Sequence, residues 1–184
     1  MGEIYEPAED SFLMQKVLEE KIPKLIEENF NLKVFEVGCG SGILLKTLED
    51  LKIKNENILG VDINPDTVEC CKKLGFNVIE SDLFKRVPRG NFDVIIFNPP
   101  YLPRDEEEPE ESRVITTGGE KGNELITRFL AEVKDYLEER GKIFLITSSL
   151  AEDVNFGKLD YDAKKIKTEK MFFEELGVWE LWRK

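Results

Sequence analysis

Histidine is absent from this 184-residue chain. Any mechanism that needs an imidazole base or a histidine-ligated metal is thereby excluded, and no metal is expected. Cysteine is scarce, with Cys70 and Cys71 adjacent among three, so neither a disulfide framework nor a zinc-ligand spacing can be built. No apolar run approaches the ~20 residues of a transmembrane helix. The start, Met1 to Glu6, lacks the basic and apolar regions of a signal peptide, so a reduced, cytoplasmic setting is expected. Positive charge is outnumbered, 26 Lys and Arg against 38 Asp and Glu, for a net charge of −12. That balance argues against a broad duplex-binding surface, which needs clustered cations to neutralise phosphate. Glutamine occurs once, at Gln15, and with the abundance of Lys, Glu and Ile this hints at a thermophilic source.

What is present is globular: 41% of residues are hydrophobic and 35% charged. A chain of this length buries roughly 70% of the surface its unfolded form exposes, and one domain over residues 1–184 is expected, with 1–31 as a helical lead-in. Asp10 or Ser11 is the expected N-cap of a helix carrying Phe12, Leu13 and Val17. Pro23 is expected to start a second short helix. Strands are expected at Lys33–Val37, Ile58–Asp62, Asn77–Glu80, Phe92–Phe97 and Lys142–Thr147. Helices carry Ile43–Leu51, Pro65–Leu74 and Leu125–Leu137 between them, and two tail strands cover Ala163–Thr168 and Val178–Trp182. Alternating strands and helices imply a doubly wound α/β sheet.

The most informative stretch is Asn98-Pro99-Pro100-Tyr101, which closes the apolar strand Phe92–Phe97. Proline cannot donate to a sheet ladder and bars the residue before it from the helical region. Asn98 is thus held extended, and its side-chain oxygen and the Pro99 carbonyl form a rigid pair of acceptors beside the Tyr101 ring. Such a pair suits a planar amino group, either an amide or an exocyclic amine.

Glu36-Val37-Gly38-Cys39-Gly40-Ser41-Gly42 follows the first strand and opens a helix. In an open α/β sheet a nucleotide-like cofactor lies at that turn. The spacing differs from the G-x-G-x-x-G of dinucleotide binders and from the lysine-bearing phosphate loop. Glu36 would repel a pyrophosphate and welcome an ammonium or sulfonium, so S-adenosylmethionine fits better than NAD. Asp62 ends the second strand, where a carboxylate either accepts from ribose hydroxyls or begins an Asp-x-Asn turn. Asp82, with Leu83, follows the third strand and reads either as a turn residue or as a contact for an adenine amino group.

Taken together, Glu36–Gly42, Asp62-Ile63-Asn64-Pro65, Ser81-Asp82-Leu83 and Phe97–Tyr101 resemble class I S-adenosylmethionine-dependent methyltransferases of the Asn-Pro-Pro-Tyr type. More narrowly, the chain resembles the HemK/PrmC family of protein-glutamine methyltransferases, which modify the Gly-Gly-Gln motif of translation release factors. Tyr5–Ser11 and Gly118–Glu124, followed by Arg128-Phe129, point to its archaeal and eukaryotic branch.

The resemblance implies that Ser11, Glu36, Gly38, Gly40, Asp62, Ile63, Asp82, Leu83 and Asn98 line the cofactor site. It implies that Asn98, Pro99, Pro100 and Tyr101 hold the substrate amide. It further implies a Rossmann-like, seven-stranded, mostly parallel sheet with a C-terminal antiparallel hairpin. A small zinc-binding activator protein is implied at the third-strand edge, near Phe76, Val78 and Ile79, although those residues are equally explained by packing. The expected activity is N5-methylation of a release-factor glutamine. Adenine N6-methylation in RNA or DNA, and protein-lysine methylation, are the alternatives, and a catalytically silent binding subunit is a third. Nucleic acid and membrane are not expected as partners. The acidic segment Arg104–Glu111 reads either as a lid for a basic peptide or as a solvated connection.

Overall fold

The computed structural model describes residues 4–107, 109 and 115–184. Glu108, Glu110 and Glu111 of the acidic segment, and Met1 to Glu3, lie outside them. The chain opens with helix α1 (Glu9–Glu28), followed by β1 (Val34–Val37), α2 (Ile43–Asp50), β2 (Ile58–Asp62), α3 (Pro65–Lys73), β3 (Val78–Glu80) and β4 (Phe92–Phe97). Two short strands come next, β5 (Leu102–Pro103) and β6 (Thr117–Gly119). The second half is α4 (Glu124–Glu132), β7 (Leu137–Ser148), β8 (Tyr161–Met171) and β9 (Glu174–Arg183). Seven of the strands form one sheet in the order β3-β2-β1-β4-β7-β9-β8. The first five run parallel, while β9 pairs antiparallel with both β7 and β8.

This order follows from the apolar pattern. All four residues of β1 are buried, as befits a parallel strand covered on both faces. Alternation along β4 then assigns each side chain to a layer. Val94 and Ile96 join Leu13, Val17, Leu45 and Val68 in a core beneath α1, α2 and α3. Ile95 and Phe97 join Phe35, Ile126, Phe129 and Leu130 in a second core under α4. The strand order reverses between β1 and β4, so the loops after β1, β2, β3 and β4 converge at one end of the sheet.

Several expected boundaries differ. Pro23 does not start a helix: α1 runs through it, with Pro23 inside and exposed. The amphipathic pattern continues across Pro23, with Val17, Leu18 and Ile22 buried before it and Leu25 and Ile26 packed on the same core after it, and core packing outweighs the lost backbone hydrogen bond. Neither Asp10 nor Ser11 caps α1; Ala8 occupies that position and makes no side-chain cap bond. The helix expected to reach Leu137 ends at Glu132, passes through a single 3-10 turn, and Leu137 instead begins β7, paired with Phe92. The tail strands are longer than expected, because 161–171 and 174–183 pair along their whole length. Among the described residues, no helix is long and apolar enough to cross a membrane.

Since Pro23 is exposed and interrupts the hydrogen-bond ladder of α1, Pro23→Ala should stabilise the fold by about 1–3 kcal/mol. A higher urea midpoint with an unchanged m-value is the expected readout.

Candidate active site

The turn after β1 is a backbone cradle. Gly38 and Gly40 adopt φ of 70° and 50°, a region costly for any residue with a side chain. The Gly38 amide donates to the Val61 carbonyl at 2.8 Å and the Gly40 amide to Asp62 Oδ2 at 3.0 Å, which ties the turn to the end of β2. Asp62 Oδ1 accepts from the Asn64 amide at 2.8 Å, and Asn64 in turn caps α3 by accepting from the Asp66 amide at 3.0 Å. Asp62 therefore closes the Asp-x-Asn turn while also lining the cavity that the cradle opens onto. Burial raises its carboxyl above the usual range, against the pull of these amides.

Glu36 sits beneath the cradle, 2% exposed, and its Oε2 has no hydrogen-bond partner among the described residues. Burial first, and then the neighbouring Asp62 charge, push its carboxyl well above the ordinary carboxylate range. At the end of β4, Asn98 Oδ1 is likewise buried and without a partner. Orphaned buried acceptors each cost of order 1–3 kcal/mol, so two on the wall of one cavity mark places where a donor or a cation from outside would be welcome.

The Asn98–Tyr101 turn is gripped from two sides. On one, β5 pairs with β6, bringing the glycine-rich stretch onto the turn. A Cβ on Gly118 would stand 2.7 Å from the Pro100 carbonyl oxygen and would also collide with that of Gly122. One on Gly122, at φ 83°, would stand 2.5 Å from the Tyr101 carbonyl oxygen. On the other side the Tyr101 hydroxyl donates to Asp10 Oδ2 at 3.2 Å, and the Tyr5 hydroxyl reaches both Asp10 oxygens at 2.8 Å. Asp10 is 4% exposed and also accepts from the amide and hydroxyl of Ser11. Burial and the Asp10 charge raise both tyrosine hydroxyls well above their ordinary range, so both stay protonated donors.

Asp82 carries a different partner set. Lys85 lies 2.7 Å from it and Arg128 of α4 pairs with its other oxygen. These cations hold its carboxyl below the usual range, the Lys85 hydrogen bond contributing most. Leu83 beside it is buried with a positive φ of 48°.

One cavity of about 330 Å³ joins these parts. Ser11, Glu36, Gly38, Gly40, Asp62, Ile63, Asp82, Leu83, Asn98, Pro99, Pro100 and Tyr101, the whole set singled out from the sequence, line it. Tyr5, Asp10 and Arg128 line it as well. Nothing local marks Asp10 for the site, since among the acids that open α1 it looks like a helix-start residue; its contact with Tyr101 spans 91 positions of sequence. Arg128 stood out only as part of the stretch after Gly118–Glu124, and nothing local marks it as the partner of Asp82.

The model of the methyltransferase small domain matches residues 15–153. The chain belongs to that family. It is 38% identical to a putative protein N5-glutamine methyltransferase of Methanocaldococcus jannaschii, over 98% of this chain and 92% of that one. It is 31% identical to the eRF1 methyltransferase catalytic subunit mtq2 of Schizosaccharomyces pombe, over 78% of this chain and 72% of the relative. Among solved structures, the E. cuniculi Mtq2–Trm112 complex superposes with a TM-score of 0.72 at 24% identity, covering 98% of this chain and 99% of that one, which shows the shared fold.

Two outcomes follow from this geometry. Neutral Glu36 contributes stability that is complete below the ordinary carboxylate range and is lost as pH rises toward its raised folded value. Urea unfolding between pH 5 and 8 should therefore show the wild type losing stability with rising pH relative to Glu36→Gln. Gly118→Ala should cost about 1–3 kcal/mol in the same assay, since the added methyl must displace the Pro100 or Gly122 carbonyl; an unchanged midpoint would mean that the turn yields freely.

Proposed function

We propose that the protein transfers a methyl group from S-adenosylmethionine to the side-chain nitrogen of a glutamine, the one in the Gly-Gly-Gln motif of a translation release factor. The observation that carries this reading is the pair of orphaned buried acceptors, Glu36 Oε2 and Asn98 Oδ1, on the wall of one cavity. The activity named for the archaeal and fission-yeast relatives points the same way.

The residues present fit the cofactor. Carboxyl groups at Glu36 and Asp62 surround a cradle whose glycines let a ligand approach the backbone, and a cationic ligand would favour their ionised form where a pyrophosphate would not. Ser11, Glu36, Gly38, Gly40, Asp62, Ile63, Asp82, Leu83 and Asn98 would hold it. When bound, it supplies an electrophilic methyl on a sulfonium. The protein's own contribution is placement. Asn98 Oδ1 accepts one N–H of the substrate amide and the Pro99 carbonyl accepts the other, which aims the nitrogen lone pair. Amide nitrogen is a poor nucleophile because its lone pair is delocalised, and orientation of this kind supplies at most about 7–11 kcal/mol. The proton leaves after the nitrogen has become cationic, so no base need act before attack, and the lack of histidine is no obstacle. Tyr101, fixed by Asp10, closes the wall of the amide pocket.

This reading is preferred to adenine methylation because binding RNA or DNA calls for clustered cations, and acids outnumber bases 38 to 26 in this chain. It is preferred to lysine methylation because a lysine must first be deprotonated and makes no use of a two-acceptor clamp. A single catalytic domain acting in the cytoplasm accords with it. A small zinc-binding activator protein belongs to the same proposal. β3 is a three-residue edge strand, and Ile63 and Leu74 on the adjoining segments are exposed. A sheet edge with apolar neighbours is a ready place for a partner to add.

The test is transfer of labelled methyl to a purified archaeal-type release factor, with the activator present, comparing Gly-Gly-Gln with Gly-Gly-Asn. Label should enter only the glutamine form, and Asn98→Ala should slow it by about a hundredfold, the scale of a misplaced reactant. Equal labelling of both forms, or labelling of RNA instead, would overturn the proposal.

A further inference from the structure

The hairpin of β8 and β9 breaks the chemistry of its own turn. Met171 pairs with Glu174, leaving Phe172 and Phe173 as a two-residue connection. Such connections favour asparagine, aspartate or glycine, which accept the positive φ of the turns that match strand twist. Neither phenylalanine adopts positive φ, and both rings stand in solvent, 103% and 93% exposed. Two bare aromatic rings stabilise nothing in the folded chain. Residues that violate a local rule without a folding gain are expected where function requires them.

Their position says which function. Strand β7 runs parallel to β4, with Leu145 opposite Phe97, and its end, Ser148, pairs with Leu176 of β9. The tip therefore projects past the level of Asn98, two strands from it, or about 10 Å to the side. It is firmly based. Glu175 donates its amide to Ser149 Oγ at 2.8 Å and accepts from the Ser149 amide at 2.9 Å, and Lys16 of α1 lies 3.5 Å from Glu169. Met171 packs on the same core as Tyr101. Glu174 opens β9 directly below the tip; its Oε1 is buried with no hydrogen-bond partner among the described residues, and its charge helps raise the Tyr5 and Tyr101 hydroxyls.

We propose that Phe172 and Phe173, with Glu174 beneath them, dock the protein substrate. They would take a substrate segment that sets an apolar side chain beside a lysine or arginine, close to the methyl-accepting glutamine. This rests on the reading of the cavity as a glutamine site. A basic segment complements the half-buried Glu174 carboxylate and a chain of net charge −12. Glu169 and Glu175 already pair with Lys16, Lys165 and Lys170, which leaves Glu174 as the carboxylate of the tip for an incoming cation. An anionic membrane or a second copy of this chain is disfavoured by the net charge of −12. Aromatic anchors beside a charged group are the usual centre of a protein interface.

The decisive comparison uses Phe172→Ala/Phe173→Ala with the activator present, acting on an intact release factor and on a short peptide that holds only the Gly-Gly-Gln loop. For the intact factor KM should rise about tenfold with kcat unchanged, as for loss of interface anchors. For the peptide both constants should match the wild type. A binding titration with the intact factor should show the same tenfold loss without turnover. In the wild type, Glu174→Gln should weaken the dependence of KM on salt. An unchanged KM and affinity for the intact factor would overturn the proposal while leaving the glutamine reading in place. So would loss of activator binding, or loss of a wild-type dimer in sedimentation, since either gives the tip another occupant. A wild type that binds the factor but methylates no glutamine would instead overturn the reading of the cavity.

Discussion

The close approach of two glycines to the Asn98–Tyr101 turn is the constraint on which the site depends. Proline at 99 and 100 removes two backbone donors, so this turn cannot be held by an ordinary sheet ladder. It is held by shape instead. The backbone at Gly118 and Gly122 approaches the Pro100 and Tyr101 carbonyls at distances that leave no room for a methyl group. That contact fixes where the Asn98 amide stands relative to the cradle at Gly38 and Gly40, and hence the shape of the cavity between them. The small β5–β6 sheet is the scaffold for this grip, which explains why a pairing so short persists outside the main sheet.

Electrostatics supply the second layer. Glu36 and Asp10 are buried and Asp62 is half-buried around one cavity, and each meets its charge differently. Asp62 spends its oxygens on backbone amides, and Asp10 on two tyrosine hydroxyls and Ser11. Of the three, Glu36 alone keeps an oxygen without a hydrogen-bond partner among the described residues. A carboxyl in that position is costly when ionised and cheap when neutral. A cation entering the cavity reverses the preference, so ligand charge and proton release at Glu36 are linked. Asp82 stands apart, already neutralised by Lys85 and Arg128, and suits a neutral donor better than a cation.

Much of the fold was legible because strands and helices here obey their periods. β4, with its unbroken apolar run, and α3, with Asn64-Pro65 at its start, read directly from residue types. Pro23 misled because proline is favoured in a first turn, while its tolerance inside α1 depends on tertiary packing that no local rule contains. Leu137 misled because its spacing continues a helical stripe, although its backbone pairs with Phe92. In the site, residues at strand ends were legible since an open α/β sheet collects them at one edge. Asp10 and Arg128 were not, since their roles arise from contacts with Tyr101 and Asp82 that only the folded chain creates. The glycines at 118 and 122 were seen as a motif, but their reason, a steric one, lies in the turn they touch.

The same topology explains why recognition and chemistry can occupy separate parts. Parallel strands β1 to β4 deliver their loops to the cavity, and the central β1 and β4 are covered on both faces, so they have little freedom to vary. The antiparallel β8–β9 pair lies at the far side of the sheet and extends 11 and 10 residues, long enough to project past the cavity end without disturbing it. An edge hairpin can carry exposed phenylalanines at a cost only in solubility, whereas the same residues in a strand-end loop would fill the site. A cavity built for one small amide has little surface with which to distinguish one protein from another, so selectivity must come from outside it. The hairpin tip is an apolar surface that the fold leaves bare beyond the level of the cavity, and the Glu174 carboxylate adds a charge requirement to it.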